Sequence, residues 1–233
     1  PSIRNPQSAI RNPQSAGPQP ATRNMSFCTY LGHTLDLTKG EKALYSGLRD
    51  STRRNIKKAE KEKVEVRIEN TPGAVDEFYR LNCLTRREHG LPPQPYHFFT
   101  KVHREVISKG NGFVALGYVE GKAAAGNVYF HFGRQAVYKY GASDKRYQSL
   151  RAGNLVMWEA IRWYRQQGVT EFCFGRTEPE NTGLREYKLG YGAMEYEFPY
   201  YKYDIRRNRS VEERAQKAPG WVESWFRRVP IPV

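Results

Sequence analysis

Residues 172–193 read FCFGRTEPENTGLREYKLGYGA and contain the pattern that decides the fold. The opening FCF is typical of a buried strand, and Gly175 lets the backbone leave the sheet because it has no Cβ. Pro179 excludes a regular hydrogen-bonded ladder in the residues that follow. We therefore expect a strand that ends in a polar turn, and then a short element that carries Tyr187 and Lys188.

Lys188 is the candidate functional group of this stretch. It lies between an aromatic residue and the sequence Leu-Gly-Tyr-Gly, shortly after the predicted end of a strand. Open α/β sheets bind their ligands in the crevice beyond the carboxyl ends of strands, so this position favours a role in a site. The alternative is a solvated loop in which the lysine is incidental.

The hydrophobic pattern of the remaining chain predicts helices and strands in a defined order. The predicted helices cover residues 39–63, 74–88, 95–108 and 155–165, and the predicted strands cover residues 30–37, 64–68, 113–119, 123–132, 136–140, 171–174 and 194–203. Short turns join three of these strands into a meander. The order predicts an α/β (α+β) fold with a mixed, mostly antiparallel central sheet flanked by helices.

The two ends of the chain differ from its middle. The heptapeptide IRNPQSA at residues 3–9 recurs letter for letter at residues 10–16, and it contains proline and little to bury. We expect residues 1–24 to be a disordered tail outside the native coding sequence, which then starts at Met25. The other predicted units are a lead-in strand, basic helix and first strand (25–68), the core (69–204) and a basic, aromatic C-terminal tail (205–233).

The chain is strongly basic, with a formal net charge of +14. The repeat tail holds three of the 38 basic residues and none of the 24 acidic ones, so the rest of the chain keeps an excess of 11 positive charges. Such an excess favours a polyanionic partner, which is nucleic acid, anionic lipid or a polyphosphate-bearing substrate. The alternative is a solvated basic surface that serves only solubility.

Composition excludes several classes of protein. The three cysteines are widely spaced and the five histidines are scattered, so we expect neither a disulfide framework nor a metal site. No apolar run reaches the ~18 residues of a membrane-spanning helix, and no signal-peptide pattern is present. The expected location is the cytoplasm. The Trp, Phe and Arg residues of the tail leave open a peripheral contact with the inner membrane surface, although packing on its own domain is the alternative.

An ordered set of short motifs resembles the FemAB (FemABX) family of acyltransferases, which belongs to the GNAT-like superfamily. The motifs are RRNIKKA at residues 53–59 before VEV at 64–66, YKYGASD at 138–144, NL at 154–155, WEAI at 158–161, FG at 174–175 and GLREYK at 183–188. The likeness spans roughly residues 35–203. It implies a GNAT-like acyltransferase fold and the transfer of an aminoacyl group from aminoacyl-tRNA to the amine of a peptidoglycan precursor.

The resemblance assigns the catalytic role to Lys188, whose ammonium would stabilise the oxyanion that develops on the attacked carbonyl. Tyr187 would form a wall of the same pocket. The alternatives are a helix-end lysine that solvates the adjacent turn and a tyrosine that belongs to the core.

Tyr138, Tyr140 and Ser143 form the acceptor side according to the resemblance. Side chains alternate along a strand, so we expect the two tyrosines to share a face. An aromatic ladder is the alternative. Arg151 and Asn154 precede the apolar helix, where a cation and helix-terminal donors suit an anion, although Asn154 is equally suited to be an N-cap.

The donor side is expected at the basic helix, where Arg53, Arg54, Lys57 and Lys58 would attract charged tRNA. Relatives that use CoA carry a Gln/Arg-x-x-Gly-x-Gly/Ala loop before the apolar helix, and RAGNL at residues 151–155 does not match it. This difference favours a tRNA-linked donor over acyl-CoA. Either donor is a co-substrate, and no cofactor is expected.

FemAB proteins usually contain two GNAT-like domains, and this chain resembles the second. We therefore expect that an N-terminal GNAT-like domain is missing, or that a partner replaces it. Two other functions remain open, which are an acyl-CoA-dependent N-acyltransferase linked to surface polysaccharide and a non-catalytic RNA-binding module.

Overall fold

The computed structural model describes residues 28–210 of the 233-residue chain, together with Ser224 and Arg227. The predicted repeat tail (1–24) and most of the predicted C-terminal tail (205–233) lie outside the described residues. None of the described helices combines the length and the apolar character that a bilayer-spanning helix needs.

The first part of the chain forms a long strand, two helices and a second strand. These are β1 (Cys28–Asp36), α1 (Glu41–Ser46), α2 (Asp50–Lys61) and β2 (Glu65–Glu69). The prediction of one continuous helix over residues 39–63 is wrong. Gly47 ends α1 by donating its backbone N–H to the carbonyl of Ala43, and the chain changes direction before α2 begins.

The middle of the chain contains the predicted helices and the meander. The elements are α3 (Pro72–Glu88), α4 (Tyr96–Val102), a π-helical turn (His103–Ile107), β3 (Gly112–Val119), β4 (Lys122–Phe132) and β5 (Gln135–Ser143). Thr71 caps α3, since its hydroxyl accepts the backbone N–H of Ala74 at 3.2 Å. The predicted helix over residues 95–108 is present as α4 and the π-helical turn that follows it.

The last part of the chain returns to the sheet. It comprises a 3₁₀ turn (Lys145–Leu150), α5 (Ala152–Gln166), β6 (Glu171–Cys173), α6 (Thr182–Leu189), β7 (Met194–Tyr200), β8 (Tyr203–Asp204) and β9 (Arg209–Ser210). The predicted closing strand (194–203) stops at Tyr200, and the next residues form the separate β8–β9 hairpin.

Seven strands form one sheet in the order β2-β3-β4-β5-β6-β1-β7. Among the described strands, β5 and β6 are the one parallel pair, and the other neighbours are antiparallel. The mixed, mostly antiparallel sheet flanked by helices is therefore confirmed.

Helices cover the two faces of this sheet and bury two cores. On one face α2 and α5 pack over the strands, with Ile56 and Phe172 fully buried. On the other face α3 and α4 bury Phe78 and Phe99, whose rings lie 5.5 Å apart. Burial of an aromatic or aliphatic side chain of this size stabilises a fold by about 2 kcal/mol, so the helices are fixed relative to the strands.

A β-bulge in β5 corrects one prediction about the tyrosines. Tyr129 pairs with Tyr138, whereas its neighbour Val128 pairs with Tyr140, so one residue of β5 is extra at this point. Tyr138 consequently packs against the α2–α5 core and Tyr140 against the α3–α4 core. The two tyrosines do not share a face, because the bulge reverses the alternation between them.

Candidate active site

The site begins where the parallel pair of strands ends. β5 and β6 stay paired as far as Val137 and Cys173, and beyond this point they separate. Gly175 turns the chain away with a φ of 72°, a left-handed conformation that favours glycine. A cleft of about 690 Å³ opens between the diverging strands.

Three parts of the fold form the walls of this cleft. The C-terminal half of α3 and the loop after it contribute one wall, β5 contributes the second, and the end of β6 with α6 contributes the third. Tyr138, Tyr140, Tyr187 and Lys188 all line it. The structure therefore brings together four of the residues that the sequence proposed for the site.

Lys188 is buried, with 2% of its surface exposed, and its ammonium is held by three acceptors. Nζ donates hydrogen bonds to the carbonyls of Gly175 and Arg176, each at 3.0 Å, and to the hydroxyl of Thr177 at 2.8 Å. An ammonium group has three protons, so each of them is used. Lys188 thus fixes the turn at the end of β6 as well as lining the cleft.

Burial lowers the pKa of Lys188 from 10.5 to about 8, because the cleft wall solvates the ammonium less well than water does. Cys173 and Glu178 act in the opposite direction. The hydroxyl of Thr177 can also donate a hydrogen bond, so the neutral amine would be satisfied at the same place. A pKa of about 8 is still above neutral pH, so the ammonium form predominates at pH 7.

The turn that Lys188 holds is also tied to β1. The backbone groups of Thr177 and Leu31 exchange two hydrogen bonds of 2.8 and 2.9 Å, and Phe174 N–H donates to the carbonyl of His33 at 2.9 Å. Thr177 is completely buried. This backbone is therefore preorganised by the sheet rather than free to follow a ligand.

A polar cluster that the sequence did not reveal joins β1, α6 and β7 around the buried His33. His33 on β1 is fully buried and its Nε2 lies 3.0 Å from a carboxylate oxygen of Glu195. Arg185 on α6 grips the same carboxylate with two hydrogen bonds of 2.7 Å. Since a carboxylate only accepts hydrogen bonds, Nε2 carries the imidazole proton and Nδ1 has no partner among the described residues.

The electrostatics of His33 follow from this position. Burial and the nearby Lys188 ammonium lower the pKa of His33, although Glu195 opposes the effect. No local pattern could have found the cluster, since His33 and Glu195 are 162 residues apart in the chain.

Tyrosines close the inner end of the cleft. The Tyr187 hydroxyl donates to the carbonyl of Gly153 at 3.3 Å, and the ring of Tyr191 stacks edge-on at 5.3 Å. Burial raises the pKa of Tyr187 well above 10 and that of Tyr138 to about 12. These phenols therefore remain neutral and act as hydrogen-bond donors or as walls.

The other predicted acceptor-side residues lie away from the cleft wall. Ser143 exchanges backbone hydrogen bonds with the Thr85 hydroxyl, at 2.9 and 3.1 Å. Arg151 adopts a left-handed φ of 59° before α5, and Asn154 bonds to the hydroxyl of Tyr191. The side chain of Asn154 does not cap α5, because the N-cap position is Arg151.

Cations that the sequence did not single out line the cleft together with Lys188. They are Arg86, Lys139 and Arg176. Burial lowers the pKa of Arg86, its Nε donates to the carbonyl of Pro92 at 3.0 Å, and no described carboxylate pairs with it. A partly buried guanidinium without a described carboxylate partner is an arrangement that favours an anionic ligand.

The basic helix starts beside the end of α6. Arg49 N–H donates to the carbonyl of Gly190 at 2.9 Å, and its guanidinium pairs with Glu186. Arg53 pairs with Asp50 and with the Ser46 carbonyl. Arg54, Lys57 and Lys58 are exposed. The cationic face of α2 is therefore accessible, although Arg53 is engaged in holding the helix start.

Acidic side chains and metal-binding clusters are missing from the described cleft wall. None of the described residues that line the cleft is acidic. Asp144 pairs with Arg146 at another cavity, Glu159 pairs with Arg162, and Glu178 is exposed on the loop after the turn. In the part of the chain that the structure describes, no three His, Cys, Asp or Glu side chains are grouped so that they could hold a metal ion.

Comparison with known families identifies the class of protein. A family model described as an acetyltransferase (GNAT) domain matches residues 46–197. Because this match covers more than half of the chain, the protein belongs to the family of GNAT acetyltransferase domains. Enzymes of this class take the acyl group from a co-substrate, acyl-CoA, and need no metal cofactor. We found no match among curated proteins.

Solved structures share the fold at low sequence identity. FemX is 13% identical with a TM-score of 0.63, and the match covers 73% of this chain and 61% of FemX. L-PGS from Bacillus licheniformis is 15% identical with a TM-score of 0.51, and the match covers 76% of this chain and 60% of L-PGS. A "possible acetyltransferase" from Clostridium difficile 630 is 15% identical with a TM-score of 0.52, covering 61% of this chain and 97% of its own.

The family match and these similarities confirm the GNAT-like fold, which FemX and L-PGS share. The chain spans about three fifths of the length of FemX and of L-PGS. At these identities the likeness shows the fold alone. The roles of individual residues, the acyl donor and the acceptor stay predictions.

Proposed function

We propose that this acyltransferase is of the FemAB type and transfers an aminoacyl group from aminoacyl-tRNA to the amine of a peptidoglycan precursor. In this reaction the amine attacks the ester carbonyl, and negative charge develops on the carbonyl oxygen. The proposal assigns Lys188 to the stabilisation of that charge, and it places the reaction in the cytoplasm, where charged tRNA is found.

The single observation that carries the proposal is the buried Lys188 ammonium in a cation-lined cleft whose described wall holds no carboxylate. An ammonium in water-poor surroundings interacts with a developing oxyanion more strongly than it would in water. The turn that bonds to Nζ is fixed by β1, so the charge is preorganised before the reaction begins.

Lys188 must exchange one of its three hydrogen bonds in order to contact an oxyanion directly. The Thr177 hydroxyl is the replaceable partner, because it can rotate and find another acceptor, whereas the Gly175 and Arg176 carbonyls belong to a fixed backbone. The lysine would then bond to the oxyanion with the proton that it gives to Thr177 in the free protein. Even without this exchange, the ammonium contributes its charge to the cleft.

Two further features support a large anionic donor. Arg86 is a partly buried cation without a described carboxylate partner, which suits a phosphate or carboxylate group of a substrate. Lys57 and Lys58 on the exposed face of α2 offer charges to a polyanion outside the cleft, and α2 begins beside the end of α6. Arg54 belongs to the same face.

The share of FemX that this chain covers bears on how the acceptor, the peptidoglycan precursor, is bound. FemX has a similar fold, and this chain spans 61% of it. We therefore propose that a second GNAT-like domain or a partner raises the affinity for the precursor, because about two fifths of the FemX chain has no counterpart in the match.

The experiment is a transfer assay with purified protein, [¹⁴C]-labelled aminoacyl-tRNA and a UDP-linked muramyl pentapeptide. We expect label in the pentapeptide for the native chain and at least a hundredfold less for Lys188→Met, as for removal of one oxyanion donor elsewhere. Equal transfer by the two proteins would rule out the role given to Lys188. No transfer from any charged tRNA would rule out the FemAB-type reaction.

A second candidate is an acyl-CoA-dependent N-acyltransferase on the same fold. The observation that favours it is the family match itself, since that family is described as a GNAT acetyltransferase domain. Parallel incubation with [¹⁴C]acetyl-CoA separates the two candidates. Label transfer from acetyl-CoA and none from aminoacyl-tRNA would replace the first proposal by the second.

A further inference from the structure

In the proposed reaction Lys188 stabilises the oxyanion. A second group must accept the proton of the attacking amine. A general base must offer a lone pair within the cleft, and carboxylates and histidines are the usual choices. The described cleft wall contains no carboxylate. Lys188 has its three protons in use, Arg86 and Arg176 are cations without a lone pair to offer, and the buried tyrosines are held in the neutral form.

His89 is the histidine that lines the cleft. It is the C-cap residue of α3, where its backbone N–H donates to the Thr85 carbonyl at 3.2 Å. Its side chain is exposed, and no described residue forms a hydrogen bond with the imidazole. A free imidazole is a suitable proton acceptor, because histidine is the residue whose ordinary charge change falls between pH 5 and 8.

The charges around His89 come from each wall of the cleft. The charged and titratable groups that line it are Arg86 on the same helix, Tyr138, Lys139 and Tyr140 on β5, Arg176 after β6, and Tyr187 and Lys188 on α6. All the charged members of this set are cations.

We propose that His89 is the general base of the acyl transfer, a step that rests on the proposed function. The amine nitrogen forms a bond to the ester carbonyl carbon, and its proton passes to the imidazole of His89. The carbon–oxygen bond of the ester then breaks, and the imidazolium returns the proton to the leaving oxygen. The products are an amide and a free hydroxyl group, and the imidazole is neutral again.

The test compares the pH dependence of kcat/KM for the full chain with that of His89→Gln, in the aminoacyl-tRNA assay. We expect kcat/KM to fall 10²- to 10⁴-fold, as for loss of other general bases, and the acid limb of the pH profile to disappear. His89→Ala should regain activity when imidazole is added to the buffer. His97→Gln is the matched control, since His97 is exposed on α4 and does not line the cleft.

The outcomes distinguish this inference from the proposed function. If the native chain is active and His89→Gln keeps the same pH profile, His89 is not the base, whereas the acyl transfer stands. A lower rate with an unchanged acid limb and no rescue by imidazole also overturns the inference, because it indicates positioning alone. A native chain that transfers no acyl group from any donor overturns both. The melting temperature of each variant should equal that of the native chain, since the His89 side chain is exposed and forms no hydrogen bond with a described residue.

Discussion

The substitution Lys188→Met separates the chemical role of the lysine from its structural one. Methionine keeps a flexible chain of similar length and removes the ammonium together with its three hydrogen bonds to the turn at residues 175–177. The Thr177 hydroxyl can then donate to one of the two carbonyls. One backbone carbonyl remains without a partner, which costs about 1–3 kcal/mol.

A second effect acts in the opposite direction. The drop in the pKa of Lys188 from 10.5 to about 8 corresponds to about 3 kcal/mol, which is the free energy that the charged form costs in the folded state at neutral pH. Methionine removes this cost. The two effects nearly cancel, so the free energy of unfolding should change by no more than about 2 kcal/mol. For a chain of this size that is a shift in melting temperature of about 4–8 °C.

The transfer rate should behave quite differently from the stability. Loss of one oxyanion-stabilising group lowers kcat by about 10²–10³, equivalent to about 3–4 kcal/mol. Lys139→Met is the matched control, since Lys139 lines the same cleft but is exposed, and we expect it to affect KM more than kcat.

Single-turnover rates and thermal melting of the two variants provide the measurement. The reasoning is refuted if Lys188→Met retains kcat within about threefold of the native value while its fold is intact. It is equally refuted if kcat falls only in proportion to a large loss of folded protein, because the lysine would then serve the turn alone.

Three other predictions follow from the geometry of the site. A Cβ at Gly141 would overlap the hydroxyl of Tyr138, so Gly141→Ala should lower the free energy of unfolding in urea by about 1–3 kcal/mol. Most of this loss should vanish in a double variant with Tyr138→Phe. A double variant as unstable as the single one would contradict the overlap. Arg86→Met should raise KM for the anionic substrate at least tenfold, since it removes a partly buried cation from the cleft, and should lower the melting temperature only slightly through loss of the bond to the Pro92 carbonyl. An unchanged KM would exclude Arg86 from binding. The pKa of His33 is lowered from 6.5 in the folded state, so the unfolded chain binds more protons below that pH and the free energy of unfolding should fall as the pH drops through 6.5. His33→Gln should flatten this dependence. A native free energy of unfolding that is constant from pH 7 to 5 would argue against the lowered pKa.

Much of the secondary structure follows from local sequence. The meander and α5 were predicted because their apolar periodicity and their turn glycines are local properties. The break between α1 and α2 was missed, since the apolar pattern runs through Gly47 without interruption. The bulge in β5 was missed for another reason. It depends on how Tyr138 and Tyr140 pair with the neighbouring β4, and no single-strand pattern contains that information.

The candidate site was predictable only in part. Lys188 and Tyr187 lie in a motif with a recognisable family likeness, and the glycine that turns the chain before them has a local signature. Arg86, His89 and His33 had none. The first two reach the cleft because α3 packs beside β5, and His33 acquires a role because β1 returns to lie between β6 and β7.

The sequence by itself determined the order of most helices and strands, the basic character of the chain and a lysine shortly after a predicted strand, since each depends on residues that are close together along the chain. Only the tertiary structure decided which cations share the cleft with that lysine, that its described wall lacks carboxylates and that the lysine is desolvated. The physical reason is that burial and charge environment arise from residues far apart in sequence, which meet only when the sheet and its helices have packed.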